Sequence, residues 1–154
     1  MKTLEGNSGA SGFKFAIILS RFNEFIGNRL LEGAIACLKE HNYTDDSIQI
    51  VKVPGAFEIP LVADKLAASK KYDAIICLGA VIKGETAHFE YVSENAAGGI
   101  AQVSLKYGLP VIFGVLTTYT VEQAEERSGT KSSNNGWEAA LTAIEMADLV
   151  KQLK

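Results

Sequence analysis

The sequence predicts an α/β fold, a three-layer αβα sandwich with a central four-stranded, mostly parallel sheet. Three observations carry this. Strand-like apolar runs alternate with helix-period segments four times along the chain. The first and third runs, around Phe13–Leu19 and Ala74–Val81, are apolar almost throughout, as in strands covered on both faces. The chain has 154 residues, 47% of them apolar, which suits one domain burying roughly 68–70% of its unfolded surface.

The elements follow in order. Residues 1–12 are polar and glycine-rich and read as an N-terminal arm, either flexible or an edge strand awaiting a partner. Residues 13–154 form the single domain. After the first strand, Ser20-Arg21-Phe22-Asn23 is a polar turn with Asn23 as the expected N-cap. Ile26, Leu30, Ala34 and Leu38 then repeat at helical spacing to about Glu40. Ile48–Val53 alternates and is β-branched, a second strand that Pro54-Gly55 ends. A helix opens at Glu58-Ile59-Pro60, with proline tolerable in its first turn, and ends near Lys70–Lys71.

The third strand leads into LGAVIKGETAHFE, Leu78–Glu90. Phe89, Val92, Ala96, Ile100 and Val103 mark a long helix, in which Gly98-Gly99 either weakens the helix or allows close packing. Gly108-Leu109-Pro110 is a turn and Val111–Leu116 the fourth strand. Thr120 and Gln123 match a capping box for a short helix. A polar loop, Arg127–Gly136, precedes a last helix with Trp137, Leu141 and Ile144 on its apolar face and Asn135 with Glu138 as its expected cap. The winding expected of such a chain is flavodoxin-like.

Several function classes are excluded or disfavoured. A net charge of −3 provides no bulk basic field for nucleic acid or a membrane surface. No apolar run approaches the ~18 residues of a spanning helix, and the N-terminus lacks an apolar signal core, so a cytoplasmic location is expected. Cys37 and Cys77 lack CxxC spacing and read as buried reduced thiols. With only two histidines, distant in sequence, a zinc site is not expected.

In parallel sheets the ligand sits beyond the carboxyl ends of the strands. The segments there are Ser20–Asn23, Pro54–Glu58, Ala80–His88 and one starting near Thr117. Phe22 and Phe57 lie in turns, where they either cover the core or stack on a planar ligand. Glu58 is either a favourable first-turn charge or an acceptor for ligand hydroxyls. Gly84-Glu85-Thr86 at a helix start offers free N–H groups and a hydroxyl to an anion. His88 either merely packs or exchanges protons near neutral pH. His41 reads as a surface residue, and Arg127 suits the end of a short helix. No nucleophile–base pair and no dinucleotide fingerprint is present. The inventory points to acid–base or proximity chemistry on a phosphorylated small molecule.

SRFN, PGAFEIP, GAVIKGETAHFEYV and ERSGT…NNGWEAALTAIEM occur in this order along the chain. Together they resemble the 6,7-dimethyl-8-ribityllumazine synthase family, from about Phe13 to the C-terminus. The resemblance implies a transferase of riboflavin biosynthesis. It would condense 5-amino-6-(D-ribitylamino)uracil with 3,4-dihydroxy-2-butanone 4-phosphate, releasing phosphate and water, without cofactor or metal. By matching position, Phe22 would stack on the pyrimidine, and Ala56, Phe57 and Glu58 would hold the ribityl chain and ring edge. Ala80, Val81 and Ile82 would line the pocket. Glu85 and Thr86 would bind phosphate through main-chain N–H groups, and His88 would move protons. Phe113 and Arg127 would come from a neighbouring subunit, Arg127 gripping the phosphate. Family members commonly carry lysine where this chain has Asn135, and Lys131, four residues away, is the candidate substitute.

The resemblance also implies a homo-oligomer, a pentamer or a shell of sixty subunits, with riboflavin synthase as a further partner. Pentamer-only members often have extra residues before the last helix; the short loop Gly129–Gly136 points to the shell. The arm would then add an edge strand to a neighbour's sheet. A different class of reading, a flavin- or lumazine-binding or cage-forming protein without turnover, is favoured only by Asn135. A flavodoxin-like signalling domain would need an acidic cluster after the first strand, where Arg21-Phe22-Asn23 stands instead.

Overall fold

The computed structural model describes all residues, Met1–Lys154. Four strands, β1 (Phe15–Ser20), β2 (Ile48–Val53), β3 (Ala74–Ile82) and β4 (Val111–Thr118), form one sheet in the order β2-β1-β3-β4. Every neighbouring pair is parallel. The helices are α1 (Glu24–Glu40), α2 (Ile59–Ala68), α3 (His88–Tyr107), α4 (Val121–Arg127) and α5 (Asn135–Gln152). The expected α/β class and flavodoxin-like order are both present.

The continuous apolar runs have a direct structural cause. Successive side chains of a strand point to opposite faces, and both faces of β1 and β3 are covered. Phe15, Ile17 and Leu19 join a core with Leu30 and Leu38 of α1 and Ile144 of α5. Ala16 and Ile18 join a second core with Ile59 and Ala63 of α2 and Ile100 of α3. β2 is an edge strand, and its mixed burial explains why its sequence alternates while the central strands do not. Fully burying a side chain such as Leu30 or Ile144 contributes about 1.5–3 kcal/mol.

Some boundaries and caps differ from expectation. Asn23 precedes α1 but does not cap it through its side chain. Its backbone is left-handed (φ 59°, ψ 48°), and its Nδ2 donates to the Ala80 carbonyl at 2.9 Å. The cap of α5 is Asn134 rather than Asn135: Asn134 has extended backbone and its Oδ1 accepts from Trp137 N at 3.0 Å. α2 stops at Ala68, short of the two lysines, after a 3₁₀ turn at Ala56–Glu58 leads into it. Thr120 caps α4 as predicted, accepting from Gln123 N at 3.1 Å, while the Gln123 side chain reaches Tyr119 N at 2.9 Å.

The glycines of α3 divide. A Cβ on Gly99 would run into the ring of Pro60 in α2, so glycine there serves close packing; Gly98 has open space around it. Gly108, at φ 60°, closes the helix in the left-handed conformation that favours glycine. Asp64 of α2 accepts from Lys106 at 2.9 Å and from Tyr107 at 3.1 Å, a polar tie from α2 to α3.

The arm contains no strand. It lies against α5 of its own chain: Asn7 N donates to Asp148 Oδ2 at 2.9 Å, and Gln152 Nε2 donates to the Glu5 carbonyl at 2.9 Å. Tyr43 Oη further holds the Ala10 carbonyl at 2.7 Å. No helix is long and apolar enough to cross a membrane.

Candidate active site

The strand order reverses between β1 and β3. β2 lies on one side of β1, and the chain then crosses over to β3 on the other. A switch of this kind leaves a crevice above the carboxyl ends of the strands. The crevice is present as a cleft of about 650 Å³ on the α2/α3 side. The end of β1 supplies Phe22; the turn after β2 supplies Ala56, Phe57 and Glu58. The end of β3 supplies Ala80, Val81 and Ile82, and the start of α3 brings Thr86 and His88. Nine of the predicted site residues therefore meet around one cavity.

Local sequence explains their placement. The turn carrying Phe22 is tied to the next strand's end by Arg21 N to Val53 O at 2.8 Å and Phe22 N to Pro54 O at 3.1 Å. The Asn23–Ala80 hydrogen bond ties the same turn to β3 across the switch point. The left-handed backbone at Asn23 is one that asparagine tolerates better than most side chains. Phe57 is positioned through its carbonyl, which accepts from Asn95 Nδ2 at 3.1 Å. Both rings stay open to solvent, Phe22 at 70% and Phe57 at 55% exposure. Exposed aromatics flanking a cleft suit a planar ligand better than they suit a folded core.

On the wall that α3 forms, the helix begins at His88. Glu90 N is met by the Ala87 carbonyl at 3.1 Å, whereas the His88 N–H is only loosely met by Thr86 Oγ1 at 3.4 Å. Gly84, Thr86 and His88 thus put open donors, a hydroxyl and an imidazole together. Glu85 is exposed and does not line the cleft, so its side chain leaves the anion end to the backbone.

Phe113 and Arg127 do not join this cavity. They line a different groove of about 580 Å³, on the α5 side of the edge strand β4, together with Asn135, Glu138 and Thr142. Phe113 is 44% exposed there. Lys131 does not substitute for a lysine at position 135. Its Nζ donates to Glu40 Oε1 at 2.9 Å and sits 4.5 Å from the Trp137 ring centre, over a separate groove beside α1. Glu40 opposes its charge and Trp137 offers an aromatic face, so the side chain is drawn away from position 135.

Phe89 and Val92 also line the cleft, although periodicity assigned them simply to the buried face of α3. The stripe does both jobs: Ala96, Ile100 and Val103 are buried in the core, while its first turn runs past the sheet edge into the cleft wall. The adjacency of Phe89 to His88 was the available signal. His41 is half-buried, its Nδ1 2.7 Å from the Cys37 carbonyl, and takes no part in either groove. Cys37 and Cys77 are both free and buried; burial first, then the Glu40 charge, pushes the Cys37 thiol up to about 12, and burial raises Cys77 as well. No three metal-binding side chains cluster anywhere in the structure.

Fold and cleft together define a flavodoxin-like α/β protein whose sheet has, at its carboxyl edge, a cleft that gathers aromatic rings, a hydroxyl and an imidazole. Comparison with known proteins narrows this. The 6,7-dimethyl-8-ribityllumazine synthase family model matches residues 12–151. A 6,7-dimethyl-8-ribityllumazine synthase of Chloroherpeton thalassium is 57% identical over 153 residues, 99% of each chain. One of Clostridium kluyveri is 56% identical over 154 residues, 100% of each chain, and one of Desulfatibacillum aliphaticivorans is 57% identical over 153 residues. The chain belongs to the 6,7-dimethyl-8-ribityllumazine synthase family.

Proposed function

We propose that this chain condenses 5-amino-6-(D-ribitylamino)uracil with 3,4-dihydroxy-2-butanone 4-phosphate in the cleft between Phe22 and His88, as an enzyme of riboflavin biosynthesis. The observation that carries the reading is the cleft's inventory: Phe22, Phe57 and Glu58 line one cavity together with Thr86, His88 and the start of α3. Aromatic rings and a carboxylate suit a planar ring with a polyol chain, and a helix start with a hydroxyl suits a phosphorylated ketone.

The chemistry asks little of the protein beyond this. The amine adds to the ketone carbonyl, and loss of water gives an imine. Loss of the proton on the hydroxyl-bearing carbon beside the imine then expels phosphate and leaves an enol, which tautomerises to a ketone, and the second amine closes on this new carbonyl with loss of another water. Each step moves protons, which His88 would accept and return. No step needs a protein nucleophile. Phe22 stacks on the pyrimidine, while Ala56, Phe57 and Glu58 hold the ribityl chain. Ala80, Val81 and Ile82 line the ring. Thr86 and the Glu85 backbone receive the phosphate. Holding both substrates in register supplies a large share of the rate through proximity.

The site is completed by a second copy of the chain. Phe113 and Arg127, both exposed, line a groove on the other side of the sheet from the cleft. In this reading the groove of one subunit closes the cleft of the next, Phe113 against the ring and Arg127 on the phosphate. Such a contact joins two different surfaces, the kind that generates a ring where its rotation closes. We take the assembly to be pentameric, with the short loop Gly129–Gly136 favouring twelve pentamers in a shell, and riboflavin synthase as the partner that would use the product. The cytoplasm is the location this implies.

The purified protein given both substrates should generate lumazine fluorescence and release phosphate together. Absence of turnover above the uncatalysed background would overturn the proposal.

A further inference from the structure

Asn134 is 4% exposed, one of four buried polar side chains in the protein. Its amide is used at both ends. Oδ1 accepts from Trp137 N at 3.0 Å, capping α5. Nδ2 donates to the Arg29 carbonyl of α1 at 3.1 Å and to the Gly129 carbonyl at 3.0 Å. One side chain thus fastens α1, the start of α5 and the segment after α4 to one another. The surroundings are shaped to admit it: a Cβ on Gly33 would run into the Asn134 amide, and one on Gly136 would run into the Leu30 carbonyl.

What the amide fastens matters for the groove. Ser128 and Asn134 form an antiparallel bridge, backed by Gly129 N to Ser133 O at 3.2 Å. The residues one step outside that bridged pair are Arg127 and Asn135, which places them side by side. Both line the Phe113 groove, whereas Asn134 faces the opposite side, towards α1. Arg127 itself has little else to fix it. It is exposed, with one hydrogen bond from Nη1 to its own helix at Gln123 O (3.2 Å) and a 4.0 Å approach to Glu126. The main chain just beyond the arginine, at Gly129, is fastened by the Asn134 amide, while the arginine side chain makes few contacts of its own.

We propose that Asn134 is a positioning residue for the phosphorylated substrate: its buried amide sets where Arg127 stands in the groove. The inference rests on the reading of Arg127 as the phosphate-gripping group. Asn134→Ser separates the amide's two jobs, because serine caps a helix as well as asparagine does but cannot reach the two carbonyls. Gly33→Ala provides a second route. It leaves the groove's own residues intact and displaces the Asn134 amide from the α1 side.

The test measures kcat and KM separately for both substrates, and the inhibition constant of inorganic phosphate, in wild type, Asn134→Ser, Gly33→Ala and Arg127→Ala. A core variant, Ile144→Val, serves as a control for general destabilisation. Asn134→Ser and Gly33→Ala should both raise KM for the butanone phosphate and weaken phosphate inhibition, by on the order of 10–10²-fold for a displaced binding group. KM for the ribitylaminouracil should stay near wild type, and Ile144→Val should show no such split. Equal effects on both substrates, or a lower melting temperature with both KM values intact, would overturn the proposal. If Asn134→Ser does not fold, Gly33→Ala decides alone. If Arg127→Ala leaves the ketone KM and phosphate inhibition unchanged, the reading of Arg127 fails and the role of Asn134 falls with it. A response to Arg127→Ala without one to either other variant sinks only the positioning role.

Discussion

Co-assembly of two defective variants should restore activity that neither has alone. His88 belongs to the cleft on the α2/α3 side, and Arg127 to the groove on the α5 side of β4. If each site is made from one subunit's cleft and the next subunit's groove, His88→Ala and Arg127→Ala damage different contributors. In a randomly mixed ring, each cleft has an even chance of carrying His88 and the groove facing it an independent even chance of carrying Arg127. About a quarter of the sites are then whole. The parents must fall well below that level for the effect to show. With His88 as the proposed proton carrier, His88→Ala should cost roughly 10–10⁴-fold. With Arg127 as the proposed phosphate clamp, Arg127→Ala should remove charge-assisted hydrogen bonds of about 1.5–3 kcal/mol each, on the order of 10–10²-fold in apparent affinity. The assay is phosphate release at butanone phosphate below KM, on protein co-expressed in equal amounts, with mixing verified by native mass measurement. Activity near a quarter of wild type is the expected result. Activity equal to the mean of the two parents, in verified mixed assemblies, would refute the shared site.

Three further outcomes follow from the structure. The thiols of Cys37 and Cys77, both buried and both raised, the former to about 12, should ignore a disulfide reagent at pH 8 until denaturant is added; labelling of the native protein would contradict their burial. Thr120→Ala should destabilise by about 1 kcal/mol through loss of the α4 cap, read from the denaturation midpoint, and an unchanged midpoint would remove that cap from consideration. The Asp64–Lys106–Tyr107 tie makes stability depend on pH at both ends. The Lys106 hydrogen bond, then Tyr107's, holds the Asp64 carboxyl below its ordinary value, and Asp64 holds Lys106 above its own. The carboxyl's contribution is present above an ordinary aspartate pKa of about 4 and is lost as pH falls through the lower folded value. The ammonium's contribution is present below about 10.4 and is lost as pH rises through the higher folded value. The difference in melting temperature between wild type and Asp64→Asn should be flat across neutral pH and shrink at both extremes; a difference that persists at strongly acid pH would sink this account.

Much of the fold was legible because parallel strands advertise themselves. Phe15–Ser20 and Ala74–Ile82 are apolar on both faces, and the intervening segments repeat at helical spacing. The cleft followed from topology: once strands and helices alternate, the strand ends at Phe22, Ala56–Glu58 and Ala80–Ile82 must share an edge. What failed was local choice between equivalent residues. Asn134 and Asn135 are chemically identical in sequence, and only packing against Gly33 and α1 decides which one caps α5. Asn23 had the composition of a cap, yet its amide serves the β1–β3 junction. Lys131 had the reach to replace a lysine at 135, but Glu40, distant in sequence, takes its charge. Periodicity could not place Phe113 or Arg127 in any site, since β4 and α4 show ordinary strand and helix patterns there. Their roles came from family resemblance alone.

The placement of the two grooves explains why the chain would need its neighbours. The cleft opens between α3 and the ends of β1, β2 and β3, while the Phe113 groove opens between β4 and α5. α3 and α5 belong to opposite layers, and the sheet between them is buried on both faces in its central strands. A hinge or loop closure moves groups within a layer or about its edge. To bring Arg127, the last residue of α4, to Thr86 within one chain, α4 and the start of α5 would have to leave the core that Ala124, Trp137 and Ile144 share with α1 and β1. That rearrangement forfeits several large buried side chains at about 1.5–3 kcal/mol each, which is most of the 5–15 kcal/mol that holds a typical domain together. Association of two folded copies carries no such cost. The layered sandwich that makes the monomer stable thus also holds the two grooves apart, and if Phe113 and Arg127 belong to the site, assembly rather than closure of a lid is the step that would complete it.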